Sequence, residues 1–212
     1  MGADGTGVAR LAAAGDARSF SGDGRRIAFA TSRVGFSEVF AMNADGSAQT
    51  NLTNTGGDDI DPSFSGDGTR IAYARNAGEG SFDIFAMNAD GSGSVNLTNH
   101  PEGELAPAFS PAGARIAFLR SFDVLVMNAD GTDQVNLTNT EAAEVAPSFS
   151  PDGGRLVFAS SRDGNYEIYS MNPDGTNVVR LTNDPAVDDA PSYPTARRSP
   201  FAASATATPR ST

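Results

Sequence analysis

Three observations predict an all-β chain folded as a β-propeller. A period of 40 to 45 residues runs through the sequence, each period holds four strand-length signals, and the same two glycine turns return in register. The expected architecture is four complete four-stranded blades, with partial blade elements at both ends.

The period is read from two markers. Met42-Asn43-Ala44-Asp45-Gly46 recurs at 87–91 and 127–131, and as Met171-Asn172-Pro173-Asp174-Gly175. Met1-Gly2-Ala3-Asp4-Gly5 is a relic of the same motif. Phe20-Ser21-Gly22-Asp23-Gly24 recurs at 64–68, 109–113 and 149–153.

The strands follow from composition and alternation. In the fourth unit they are expected at Ala146–Ser150, Arg155–Ser160, Tyr166–Met171 and Val178–Thr182. Val, Ile, Phe and Tyr dominate the second and third, as on a pleated, packed surface. Asn-Ala-Asp-Gly fits a type I turn whose last residue takes positive φ, which glycine does without a Cβ clash. Pro173 suits the second position of that turn, and Asp45, Asp90, Asp130 and Asp174 read as turn formers. A β-sandwich is the competing architecture, but it gives no reason for one turn chemistry to return in register.

The totals exclude several function classes. The net charge of -11 opposes phosphate backbones, so nucleic acid is not an expected partner. No apolar run approaches the ~20 residues of a spanning helix. Residues after Met1 show neither a basic start nor an apolar stretch, so no signal peptide is read here: the chain is cytoplasmic or its true start lies upstream. The absence of cysteine removes disulfides and thiolate metal sites. All fifteen basic residues are arginine, which reads as the codon bias of a GC-rich bacterial genome.

The fourth unit carries a family resemblance. Pro147 to Gly153, Ser161-Arg162-Asp163-Gly164-Asn165-Tyr166-Glu167-Ile168-Tyr169, Met171 to Gly175 and Arg180-Leu181-Thr182-Asn183 resemble the repeats of the TolB-like propeller family, with their Ser-Pro-Asp-Gly turn. The resemblance spans residues 1–193 and implies a periplasmic, or otherwise extracytoplasmic, protein-interaction propeller. Similar blades also serve as gating domains of serine peptidases. There are departures: Gly22 and Gly66 stand where the family has Pro, and Ala112 where it has Asp. The third unit is short between its second and third strands, leaving Arg120-Ser121-Phe122-Asp123. Related propellers have six or more blades, so four plus fragments reads as a truncated array.

Residues 194–212 leave the repeat. After Pro191-Ser192-Tyr193 an Asp-Gly turn and an Ile-Ala-Phe strand are due. A one-base shift of GC-rich codons for Pro194 to Phe201 restores them. The tail is therefore either out of frame or a genuine disordered segment, which its Ala/Ser/Thr/Pro/Arg composition also fits.

Three residues before the proline of each unit stands an acid: Asp59, Glu104, Glu144 and Asp188, with Asp16 in the equivalent place before Ser19. They precede each innermost strand, so they are expected around one mouth of the channel. As a binding site they would form an acidic rim for a cation, an amine or a basic peptide. As architecture they would pair with Arg33, Arg75, Arg120 and Arg162, locking neighbouring blades through bidentate contacts. The architectural role is favoured.

No catalytic, metal or cofactor site is expected. Asp58, Asp59 and Asp61 lack the loop pattern of a calcium site. His100 is the single histidine, beside Pro101, where sister units carry Thr55, Thr140 and Asp184. No Gly-x-Ser-x-Gly elbow occurs. Asn51-Leu52-Thr53, Asn96-Leu97-Thr98 and Asn136-Leu137-Thr138 match the glycosylation pattern, but recur with the repeat and read as accidental.

Three functions remain open. The first is a non-catalytic scaffold binding a protein or peptide partner. The second is the substrate-gating part of a larger peptidase or other hydrolase. The third is an acidic-channel hydrolase in its own right.

Overall fold

The computed structural model describes residues 18–76, 80–189 and 191. Its described strands form four antiparallel four-stranded sheets, each in simple sequence order. Blade 1 contains β1 (Arg18–Phe20), β2 (Arg26–Thr31), β3 (Glu38–Asn43) and β4 (Thr50–Asn51). Blade 2 contains β5 (Asp59–Phe64), β6 (Arg70–Asn76), β7 (Phe82–Asn88) and β8 (Val95–Asn96). Blade 3 contains β9 (Glu104–Phe109), β10 (Arg115–Arg120), β11 (Asp123–Asn128) and β12 (Val135–Asn136). Blade 4 contains β13 (Glu144–Phe149), β14 (Leu156–Ser160), β15 (Glu167–Met171) and β16 (Val179–Arg180). This is the propeller the repeat predicts. The partial elements expected at both ends, and the tail from residue 194, lie outside the described residues.

Blade 4 differs from expectation at its margins. Its first strand starts at Glu144, two residues early, because Glu144 pairs with Ser160 across the hairpin. Its outer strand is only Val179–Arg180. The ladder stops there because the Thr182 hydroxyl, in place of a backbone carbonyl, accepts the Ile168 amide at 2.9 Å.

Neighbouring first strands pack on one another from β1 to β13, so they form the inner wall. Their C-terminal ends line an axial cavity of about 300 Å³ that includes Phe20, Phe64, Phe109 and Phe149. Because the strands alternate in direction, each blade has two ends. The glycine turns β1–β2 and β3–β4, and their sister turns, gather at one mouth. The β2–β3-type loops and the blade-to-blade connectors gather at the other.

The alternation of the second strand explains how blades stack. In Ile71-Ala72-Tyr73 and Ile116-Ala117-Phe118, the large residues face the preceding blade and alanine faces the next. Thus Ala28 and Val39 of blade 1 meet Phe64, Ile71, Tyr73 and Met87 of blade 2. Ala72, Ala74 and Ile84 meet Phe109, Ile116, Phe118 and Met127. Ala117, Val124 and Val126 meet Leu156, Phe158, Tyr169 and Met171. Small against large packs each seam, and each buried aromatic contributes about 1.5–3 kcal/mol through lost water contact.

Polar bonds lock the turn end of each seam. Arg26 donates to Ala89 O at 3.0 Å, Arg70 to Ala129 O at 3.0 Å and Arg115 to Pro173 O at 3.3 Å. In every case the arginine of one blade caps the turn of the next. The glycines noted as departures have a steric cause here. A Cβ on Gly22 would stand 1.8 Å from Gly66 O, and one on Gly66 would stand 1.9 Å from Pro111 O.

Candidate functional site

The turn mouth is fully engaged with itself. Gly46, Gly91, Gly131 and Gly175 take φ of 86°, 89°, 89° and 83°. Asp45, Asp90, Asp130 and Asp174 each accept the hydroxyl and amide of the Ser or Thr two residues on, the hydroxyls at 2.6 Å. Those donors, the hydroxyl first, hold the four carboxyls below their ordinary value of 3.8. They are turn formers, as the motif predicts.

At the loop mouth the predicted acids begin the inner strands. Asp59, Glu104 and Glu144 are each 0% exposed. Each meets the predicted arginine. Arg75 Nε donates to Asp59 at 2.7 Å, Arg120 Nε to Glu104 at 2.8 Å, and Arg162 Nη2 to Glu144 at 3.1 Å. The pairing expected between blades is corrected: all three pairs lie within one blade, Arg75 and Arg120 on its second strand and Arg162 just past it. Hairpin register dictates this, since Asp59 stands opposite Arg75 and Glu104 opposite Arg120. Arg75, Arg120 and Arg162 also lie over the aromatic rings Phe85, Phe118 and Tyr169 of their own blades.

The remaining candidates behave differently. Arg33 donates to Gln49 at 2.8 Å and stacks 3.9 Å from the Phe40 ring centroid. Its sequence counterpart Asp16 lies outside the described residues. Asp188 is half-buried, and its amide donates to Tyr166 O at 2.9 Å. Asp59 and Glu144 make the same backbone contact, to Ser37 O and Phe122 O. Asp188 thus takes the connector contact that Asp59 and Glu144 take.

The three buried acids are not equivalent. Both Asp59 oxygens are bonded, Oδ2 by Arg75 Nη2 and Thr55 Oγ1. Glu104 and Glu144 each keep one buried oxygen, Oε2, without a partner. The longer glutamate side chain carries the second oxygen past the arginine fork. Burial pushes the Glu104 carboxyl up, against the lowering effects of Thr98 and Arg120.

A second acid series escaped the sequence reading. Glu38, Asp83, Asp123 and Glu167 open the third strands or stand one residue inside them. Each accepts a connector amide, from Thr55, His100, Thr140 and Asp184 respectively. Thr53, Thr138 and Thr182 add their hydroxyls, and Asn96 and Asn136 their amides. The Asn-Leu-Thr recurrence therefore closes each blade onto its third-strand acid. The signal was available: each acid stands four residues before the methionine of the Met-Asn-x-Asp-Gly motif. His100 shares this role through its backbone, and its Nδ1 accepts the Glu102 amide at 3.2 Å.

No cluster of three or more His, Cys, Asp or Glu suited to a metal ion occurs among the described residues. What the loop mouth presents to solvent is its loop tips. Val34 and Phe36 of blade 1 are exposed, as is Phe122 of blade 3.

The family model described as the TolB beta propeller domain matches residues 4–142 and 69–204. The chain is similar to TolB from Acinetobacter baumannii, with a TM-score of 0.71 and 25% identity over 83% of this chain and 45% of that one. It is similar to a chain assigned as TolB from Agrobacterium tumefaciens, with a TM-score of 0.70 and 24% identity over 78% of this chain and 64% of that one. The chain therefore spans less than two thirds of either. A puromycin-hydrolyzing peptidase of Mycobacterium tuberculosis shares the fold at TM-score 0.58 and 19% identity, over 75% of this chain and 29% of that one. No curated protein matches.

Proposed function

The chain belongs to the TolB β-propeller family, and from that premise we propose that it is a non-catalytic protein-interaction module whose partner docks on the loop mouth. A propeller supports many activities, so the reading rests on the site and not on the fold. The observation that carries it is the state of the predicted rim. Asp59, Glu104 and Glu144 are buried and bound to arginines of their own blades, so they lock the inner hairpin of each blade. The groups left for a partner are the loop tips, which differ from blade to blade in length and sequence. Loops set on a rigid scaffold are where recognition concentrates.

The proposal includes a place in the cell envelope, in keeping with the family. No helix among the described residues is long and apolar enough to cross a membrane. A photo-cross-linking residue at Val34 on the loop mouth, and another at Ser92 on the turn mouth, tests the reading in the native host. A discrete protein adduct from position 34 alone is expected. Adducts from position 92 alone would move the site to the other mouth. Fractionation of the same cells tests the compartment.

A further inference from the structure

We propose that Phe122 is a preorganised anchor for a cationic, apolar peptide segment of that partner, an inference that rests on the loop mouth being the interaction face. Arg120 pairs with Asp123, so Ser121 and Phe122 alone make the hairpin loop. Their φ values are 49° and 69°. Both central residues are left-handed, as in a type I′ turn, where Asn-Gly is the favoured pair. The corresponding loops of blades 1 and 4 use Gly35 and Gly164, at φ of 124° and 106°. Phenylalanine in that region costs on the order of 1–2 kcal/mol.

Packing does not offset the strain. Phe122 is 65% exposed and belongs to no hydrophobic cluster of the described residues. Yet the tip is fixed. Phe122 O accepts the Glu144 amide at 2.8 Å, and the Ser121 hydroxyl donates to Glu102 at 2.8 Å. A loop tip whose backbone is already fixed loses little freedom on binding, which is the condition for an efficient contact. Backbone strain retained without a packing return is a mark of recognition sites.

Charge selects the occupant. Beside the exposed Arg33, and an Asp163 already paired with Arg180, the mouth exposes the acids Glu102, Glu141 and Asp189 on its loops and connectors. They favour a segment with Lys or Arg flanking an apolar side chain, and oppose an anionic membrane. Val34 and Phe36, exposed at the blade 1 tip, offer a second apolar hold for a segment lying across the mouth.

The test uses the full chain, a displayed random peptide library and the variant Phe122→Gly. Selected peptides are expected to join basic and apolar residues, and to bind Phe122→Gly about tenfold or more weakly than the parent. The variant is expected to unfold at the same temperature as the parent or higher, because glycine relieves the turn. A fall of several degrees would show that the ring serves the fold, and would overturn the proposal. So would peptides that bind Phe122→Gly as tightly as the parent, or that share no basic character. If the position 34 cross-link persists in Phe122→Gly at full yield, the loop mouth stands as the interaction face and the anchor does not. If no loop-mouth adduct forms in the parent, the loop mouth is lost as the interaction face and the anchor with it.

Discussion

The two mouths of this propeller are made by the same strands and treat their polar groups in opposite ways. At the turn mouth, acids lie in exposed turns and accept the hydroxyl and amide of their own turn. The motif Met-Asn-x-Asp-Gly is nearly invariant across the four blades. At the loop mouth, acids are buried beneath arginines, and the loops above them vary. Asp90 is held below its ordinary pKa by hydrogen bonds, while Glu104 is pushed above its own by burial. The comparison separates two tasks. Uniform turns make the seams, and varied loops over a locked base are free to acquire partners.

The largest effects should come from breaking the locked base. Arg75→Ala leaves Asp59, 0% exposed, with one hydroxyl donor and no counter-charge. A loss of about 3–5 kcal/mol is expected in urea unfolding, typical of an orphaned buried charge. Arg162→Ala should cost distinctly less, since Glu144 Oε1 keeps Thr140 and Ser160. Equal losses would mean that the arginines act through ring stacking and not through the carboxylates.

Next in size is the turn-mouth seam. Gly66→Ala places a Cβ 1.9 Å from Pro111 O, so the blades must part. Overpacking of this kind costs about 1–3 kcal/mol. Pro151→Ala in blade 4 should be nearly silent in the same unfolding assay. A matching loss there would show that the proline, and not the close approach, governs that end. Gly91→Ala should cost about 1–2 kcal/mol, because φ is 89° and Leu52 O lies 2.8 Å from the new Cβ.

The smallest effect, and the sharpest on the comparison, is pH dependence. Asp90 has a lowered folded pKa, so its contribution is present above the ordinary 3.8 and is lost as pH falls through the lowered value. Glu104 has a raised folded pKa. Its contribution is full below the ordinary 4.5 and is lost as pH rises through the raised value. Melting curves from pH 3 to 7 should therefore show Asp90→Asn flattening the acid limb and Glu104→Gln altering the limb above 4.5. The same limb changing in both variants would erase the distinction between the mouths.

Much of this was legible in the chain. The period, the turn chemistry of Asp45 and its sisters, and the choice of Arg75, Arg120 and Arg162 as partners of the acids all follow from spacing. Which blade each arginine serves did not. A bulge between Ile60 and Ser63 shifts the hairpin register, and its left-handed residue, Asp61 at φ 52°, leaves no mark in the apolar pattern. The third-strand acids were hidden for a related reason. Glu38 and Asp83 sit beside apolar strand residues and read as solvent-facing positions, until the connector amides that bind them are seen. Phe122 read only as a shortened loop, because strain belongs to backbone angles and not to residue identity.

One feature of the seams reaches further than stability. Arg26, Arg70 and Arg115 each cap the turn of the following blade, never that of the preceding one. Each of these three repeats thus carries a plug for a matching socket on the next, while Arg155 of blade 4 turns to its own Ser170 and Asn172. A gene segment of one period, copied in tandem, would bring both with it. The array can grow or shrink by whole repeats without a new interface having to evolve, while each added blade contributes one more loop free to diverge.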